Sequence, residues 1–178
     1  MGTRNLTMVI NQKGEKKVAQ YGQWDGYPSH LGINILNILK NDDIITKLKT
    51  NLSKVRFIEE EGTDKEFIES YDKNAPICTT DPDNRTEAQK QWFLNYGSRD
   101  LAEKVLINIS NSNDNEILLL NRESTAKKCG WVEYSYVINL KTKTFGIYRQ
   151  IDQKPLKVYK LNQLPEESIF LSDLEEKE

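Results

Sequence analysis

Apolar residues recur at every second position near the start of the chain, at Leu6, Met8 and Ile10. This spacing is typical of a half-buried β-strand. Lys13 and Gly14 favour a turn, and residues 17–21 have the composition of a returning strand. We therefore predict that the chain opens with a β-hairpin over residues 6–21.

The last third of the chain shows the same period over residues 131–140. Five apolar side chains fall on one face of this segment: Val132, Tyr134, Tyr136, Ile138 and Leu140. A turn at residues 141–143 leads to an alternating segment at 144–151, and Pro155 precedes a third strand near residues 156–161. Three strands joined by short turns predict an antiparallel meander, whose apolar face needs a covering layer.

Helical spacing dominates the middle of the chain. We expect Ser29 to cap a helix whose apolar stripe is formed by Leu31, Ile35, Leu36 and Leu39. Asp42 or Asp43 is expected to cap a second helix, whose stripe is formed by Ile44, Leu48 and Leu52. The pattern therefore predicts two amphipathic helices in succession before residue 53.

Two more helices are predicted further along, over residues 86–96 with Gly97 at the end, and from Ser98 to residue 110. The short apolar run at residues 55–58 fits no single state. Residues 117–120 are apolar on both faces and fit either a strand or a buried helix, of which we favour the strand. Residues 67–71 predict one or two helical turns, and the proline- and aspartate-rich residues 72–84 predict a loop.

These elements together predict one α+β domain over residues 1–165. We expect the N-terminal hairpin and the C-terminal meander to form one antiparallel sheet, with about four helices of the middle packed on one face. Residues 166–178 hold six acidic residues and one basic residue, and we predict that they form an acidic C-terminal tail. The whole chain has 25 basic and 27 acidic residues, and residues 1–165 have 24 basic and 21 acidic ones. The body is therefore nearly neutral, which does not favour binding to duplex nucleic acid.

Composition narrows the class of protein further. The two cysteines, Cys78 and Cys129, lie far apart, and with the lone His30 they cannot form a zinc site at any standard spacing. No segment approaches the roughly 20 apolar residues of a membrane span. We therefore expect a cytoplasmic protein that has no metal, no cofactor and no membrane partner.

Four blocks of the sequence carry a resemblance. They are residues 2–7 (GTRNLT), 18–29 (VAQYGQWDGYPS), 98–101 (SRDL) and 131–140. The chain resembles a group of small uncharacterised proteins from phages and prophages of low-GC Gram-positive bacteria. It departs from them after the Pro28-Ser29 pair, where relatives tend to be rich in glycine. The resemblance implies a bacterial host cell and a protein that antagonises a host defence, such as a CRISPR nuclease, but it brings no mechanism.

The segment from Gln23 to Pro28 is the best candidate surface, with Arg4 close to it if the hairpin pairs as predicted. We select five binding residues: Arg4, Gln23, Trp24, Asp25 and Tyr27. Two aromatic rings, a carboxylate and a guanidinium suit either a stacked base or sugar or a protein hot spot. The structural alternative is that the Asp-Gly pair forms a turn and the aromatic rings pack on the core.

Other candidate sites have simpler interpretations. We predict no catalytic residue, because no partner residues are indicated for His30 or Cys129 and removal of Met1 would expose Gly2, which carries no nucleophile. The C-terminal strands hold a basic set that could meet a nucleic-acid backbone or simply prevent edge-strand aggregation: Lys141, Lys143, Arg149, Lys154, Lys157 and Lys160. We favour the second interpretation.

The sequence therefore predicts a non-enzymatic protein that binds and inhibits a host protein or ribonucleoprotein, such as a CRISPR effector nuclease. The alternative is a small enzyme or nucleotide-binding protein with a pocket around Arg4, Trp24, Asp25 and His30. In that case Asp25 or His30 would serve as acid or base, and Arg4 would bind a phosphate.

Overall fold

The computed structural model of the protein describes residues 2–59, 86–98, 100–129, 132–149 and 154–175. Seven strands lie in these ranges: β1 (Asn5–Ile10), β2 (Lys16–Gly22), β3 (Val55–Glu59), β4 (Ile117–Asn121), β5 (Tyr134–Asn139), β6 (Thr144–Tyr148) and β7 (Lys157–Lys160). Six α-helices accompany them: α1 (Ile33–Lys40), α2 (Asp42–Asn51), α3 (Glu87–Trp92), α4 (Lys104–Asn111), α5 (Glu123–Cys129) and α6 (Glu167–Glu175). The predictions for residues 67–71 and 72–84 concern a segment outside the described residues.

A five-stranded sheet joins the two ends of the chain in the order β2-β1-β5-β6-β7. The hairpin of β1 and β2 is antiparallel, and β5, β6 and β7 form an antiparallel meander. The predicted α+β class, with the hairpin and the meander in one sheet, is therefore confirmed.

The sheet is mixed rather than wholly antiparallel, which corrects one detail of the prediction. Strands β1 and β5 run parallel, with Asn5 beside Tyr134 and Ile10 beside Asn139. A parallel pair needs a long crossover, and the helical middle of the chain supplies it. Alternation of apolar residues assigns the faces of a strand but leaves its direction open.

The main hydrophobic core lies between one face of this sheet and the helices. From the sheet it takes Tyr136 and Phe145, both fully buried, and from α1 it takes Ile35 and Leu36. Buried apolar residues of α2 and α4 belong to the same core. The apolar stripes predicted from helical spacing thus supply this core, except that in α2 Ile45 is the buried residue and the predicted Ile44 is half-buried.

A smaller apolar cluster occupies the opposite face. It contains Leu6 and Met8 of β1, Tyr21 of β2 and Ala126 of α5, and the alternate residue Val9 belongs to the main core. Helix α5 was not predicted, because a short helix that buries Ala126 has no apolar stripe to mark it. The sheet therefore carries a helix on this second face in addition to the predicted layer.

Strands β3 and β4 form a separate two-stranded parallel sheet, with Val55 beside Ile117 and Glu59 beside Asn121. Residues 117–120 are buried at every position. Parallel strands covered on both faces are continuously apolar, which explains why the sequence did not distinguish strand from buried helix.

Three of the expected helix starts are wrong. Helix α4 begins at Lys104, with Glu103 at its N-cap, rather than at Ser98. Ser29 lies inside a π-helical turn, Pro28–Gly32, that leads into α1 without a side-chain cap. Asn41 caps α2, where its side chain accepts a hydrogen bond from the backbone of Ile44, so neither following aspartate is the cap. At α2 the error is one or two residues, since Asn41, Asp42 and Asp43 are all capping residue types and stand together. Ser29 instead lies three residues before Gly32, the N-cap of α1.

The acidic C-terminal residues include helix α6. Its Phe170 is fully buried and stacks on Phe145, with ring centroids 6.2 Å apart. The Tyr159 hydroxyl donates to Asp173 Oδ2 at 2.9 Å, and the Lys157 ammonium lies 2.8 Å from the same oxygen. Burial and the Asp173 carboxylate raise the pKa of Tyr159. An apolar anchor and a charged contact therefore attach α6 to the edge of the sheet.

Candidate functional site

The predicted surface forms a turn at the end of the sheet where β1 begins and β2 ends. We call residues 23–27 the Trp24 turn. The Trp24 side chain is 58% exposed and that of Tyr27 is 47% exposed, although both are large apolar groups. These rings are therefore only partly covered by the rest of the fold.

Hydrogen bonds from three directions fix the backbone of this turn. The Asn5 side-chain amide donates to the Trp24 carbonyl at 3.2 Å, and the Gly26 N–H donates to the Thr3 carbonyl at 3.1 Å. The buried Tyr136 hydroxyl donates to the Gly26 carbonyl at 2.7 Å. Burial, together with the neighbouring Tyr134, raises the pKa of Tyr136, so this hydroxyl keeps its proton.

Close packing under the turn fixes it further. A Cβ atom at Gly26 would lie 2.6 Å from the Asn5 Cβ and 2.8 Å from the Thr3 carbonyl oxygen. At Gly2 a Cβ atom would lie 2.1 Å from the Trp24 ring. The chain itself therefore fills the space beneath the turn, and the indole ring rests on backbone that carries no side chain.

The other selected residues lie around the two rings. The Gln23 N–H donates to Asp100 Oδ1 at 2.9 Å. Asp25 is exposed in the left-handed region, with φ of 52°, and no described residue pairs with its carboxylate. Arg4 is half-buried, and its carbonyl accepts hydrogen bonds from the first residues of the β5 segment. The fold thus brings Gln23, Trp24, Asp25 and Tyr27 into one turn and places Arg4 one residue before β1.

His30 also lies near this turn, and its N–H donates to the Tyr27 carbonyl at 3.1 Å. Its side chain and that of Asp25 are both exposed. A pocket built for acid–base chemistry would enclose these groups and remove them from water. The surface around the Trp24 turn therefore presents its polar groups to solvent.

Three supporting residues were missed: Asn5, Asp100 and Tyr136. All three belong to the sequence blocks that carry the resemblance, and Gln20 adds a further link by donating to the Ser98 carbonyl at 2.7 Å. Residues of all four blocks therefore meet at this end of the sheet. The clustering of these blocks in space could have identified the three residues. It is seen only in the folded structure, because the blocks lie far apart in the sequence.

The basic residues of the C-terminal strands have different surroundings. Lys157 is paired with Asp173, and the Arg149 guanidinium lies 5.1 Å from the centre of the Tyr134 ring. Lys143 and Lys160 instead line a cleft at the other end of the sheet. Two of these side chains thus have partners within the fold, and two others face a cleft.

Within the described ranges, no cluster of three or more histidine, cysteine or acidic side chains could hold a metal ion. None of the helices described is long and apolar enough to cross a membrane. No protein-family model matches the chain, and comparisons with curated proteins and with solved structures found no significant match.

Proposed function

We propose that this protein is a non-enzymatic binding protein whose Trp24 turn docks on a partner protein. The observation that carries the proposal is the exposure of Trp24 and Tyr27 on a backbone fixed from three sides. Tryptophan and tyrosine supply a large share of the binding energy in protein interfaces. A fixed turn loses little conformational entropy on binding, so more of the contact energy contributes to affinity.

The proposed partner is a component of a bacterial defence system, such as a CRISPR effector nuclease. The resemblance to phage and prophage proteins supports this choice of partner, and the blocks that carry it meet around the Trp24 turn. The nearly neutral body agrees with docking to a protein surface rather than to bare duplex nucleic acid.

The alternative, a small enzyme or nucleotide-binding protein at the same place, receives less support. Asp25 and His30 are both exposed, and the space under the turn is filled by Thr3 and Asn5. A ligand pocket is normally concave and buries most of its ligand.

The direct test measures DNA cleavage by purified CRISPR effector ribonucleoproteins from Gram-positive bacteria in the presence of this protein. The key variant is the double substitution Trp24→Ala/Tyr27→Ala. The matched control is Leu94→Ala/Val158→Ala, which removes two other exposed apolar side chains, 66% and 44% exposed. We expect the wild type and the control to inhibit cleavage and the Trp24/Tyr27 variant to lose at least about tenfold in affinity, the size typical of a hot-spot pair.

Inhibition that survives in the Trp24→Ala/Tyr27→Ala variant would show that the docking surface lies elsewhere. A wild-type protein that inhibits none of the nucleases would remove the proposed nuclease partner. In that case a pull-down from host lysate with the same variants tests the turn alone, and identical captured proteins would reject it.

A further inference from the structure

A cleft opens at the end of the sheet opposite the Trp24 turn. Since β1 and β5 are parallel, both begin near the Trp24 turn and both end, at Ile10 and Asn139, near this cleft. Six strand residues separate the two ends by about 20 Å. The cleft has a volume of about 690 Å³. Ligand pockets for small molecules usually range over about 300–1,000 Å³, so this cleft has the size for one.

Apolar side chains form much of the inner wall of the cleft. Leu39 comes from the end of α1, Ile45 from the first half of α2 and Leu140 from the residue after β5. All three are buried members of the main core, and the half-buried Leu161 continues the wall after β7. Such a wall favours an apolar ligand body of several carbon atoms.

Three lysines line the same cleft: Lys49, Lys143 and Lys160. Each is exposed, and no carboxylate among the described residues forms an ion pair with any of them. Among the described residues that line the cleft, Asp42 is the single acidic one, so three lysines stand beside one carboxylate. This imbalance favours an anionic group on the ligand.

Hydrogen bonds within the fold hold the turn that carries Lys143 in one conformation before any ligand binds. Lys143 has φ of 56°, a left-handed conformation, and its carbonyl accepts a hydrogen bond from the Leu161 N–H at 2.9 Å. Asn139 Oδ1 accepts hydrogen bonds from the backbone of Lys141 and Thr142, both at 3.1 Å. The cleft therefore has a preformed rim, which reduces the entropy lost on binding.

We propose that this cleft binds a small amphipathic anion. Its apolar body would lie on Leu39, Ile45 and Leu140, and its carboxylate or phosphate would face Lys49, Lys143 and Lys160. This site is independent of the proposed docking function, because it shares no residue with the Trp24 turn.

The test titrates the protein with decanoate and with decyl phosphate, below the concentrations at which they aggregate, and follows backbone amide signals by NMR. Two compounds with the same ten-carbon tail are the ligand controls. Decanol has a neutral head group, and decyltrimethylammonium has a cationic one. We expect saturable shifts around residues 140–144 and at the start of α2, with the anions binding at least about tenfold more tightly than decanol. Comparison of the two anions shows which head group the lysines prefer.

The variant Lys49→Gln/Lys160→Gln should weaken binding of the anions by about tenfold and leave binding of decanol unchanged. Lys49→Arg/Lys160→Arg should retain the anion affinity, and Lys104→Gln/Lys154→Gln, which removes two exposed lysines that do not line the cleft, should behave as the wild type. Unchanged decanol binding also shows that the glutamine variant is folded. Absence of saturable shifts in the wild type, shifts centred outside the cleft, or equal affinity for decanol and decanoate would each overturn the proposal.

Discussion

The two ends of the five-stranded sheet differ in shape and charge. At the Trp24 end, hydrogen bonds to the backbone and close contacts at Gly2 and Gly26 hold the turn in place and leave two rings exposed. At the cleft end, the surface is concave and three lysines have no acidic partner in the described part of the chain. One end thus presents apolar surface and the other presents unbalanced charge.

This difference follows from how each end is covered. Four chain segments converge at the Trp24 end, so internal partners are available for its polar backbone groups. At the cleft end the sheet stops at short turns, and the junction of α1 and α2 stands beside them. The same rigid sheet can therefore support two sites of different chemistry, and a variant at one end should leave binding at the other end unchanged.

The largest expected effect is a loss of stability of the whole fold, which affects both ends of the sheet. Phe170 of α6 stacks on Phe145, and its ring would lie 3.0 Å from a Cβ atom at Gly32, which follows the Trp24 turn. We expect Phe170→Ala to lower the free energy of unfolding by about 3–5 kcal/mol, since it leaves a cavity in the core. Chemical denaturation measures this value.

The matched control is the neighbouring Ile169→Ala, because Ile169 is 55% exposed on the same helix. Its effect should stay within about 0.5 kcal/mol. Equal losses for the two variants would mean that α6 does not anchor the core.

A smaller effect should be confined to the Trp24 end. Gly26→Ala places a Cβ atom against Asn5 and the Thr3 carbonyl, and we expect it to lower the free energy of unfolding by about 1–3 kcal/mol. Asp25→Gly is the matched change, since Asp25 already has a left-handed φ of 52° that glycine adopts without strain. It should leave stability unchanged or slightly raised, and if Gly26→Ala is equally harmless the turn is not tightly packed.

The smallest effect concerns charge near the start of β2, at the cleft end. Burial raises the pKa of Glu123, but hydrogen bonds and charge from Lys16 and Lys127 outweigh it, so the pKa lies below the ordinary value of 4.5. A carboxylate with a lowered pKa stabilises the fold above its unfolded-state pKa, and this contribution is lost as pH falls through the folded-state pKa.

Denaturation across this pH range compares the wild type with Glu123→Gln. The wild type should be more stable at neutral pH, and the difference should shrink as the pH falls below about 4.5. Glu133→Gln, at the exposed start of the β5 segment, removes a solvent-exposed carboxylate and should leave stability at neutral pH nearly unchanged. A Glu123→Gln difference that does not depend on pH would contradict the ion-pair explanation.

Sequence patterns predicted the strands of this fold in which apolar and polar side chains alternate. The alternation at Leu6 and Met8 and over residues 131–140 identified the strands of the main sheet, because each second side chain faces a hydrophobic layer. The same reasoning did not resolve β4, which is buried at every position from 117 to 120, or the short β3, which shows no alternation. It also missed α5, which buries Ala126 against the sheet and has no apolar stripe.

The two candidate sites also differ in how far the sequence alone predicts them. Trp24, Asp25 and Tyr27 are adjacent in the chain, so composition alone singled out their turn. The cleft combines Lys49 with Lys143 and Lys160, which lie about a hundred residues further along, and no local pattern connects them.

The sequence by itself determined the hairpin, the meander, the amphipathic helices and the aromatic turn, because each depends on local spacing and turn chemistry. The tertiary structure alone decided that β1 lies parallel to β5, that the Trp24 ring is exposed and that three distant lysines share one cleft. These outcomes depend on contacts between residues far apart in the chain, whose energies arise only when the elements pack together.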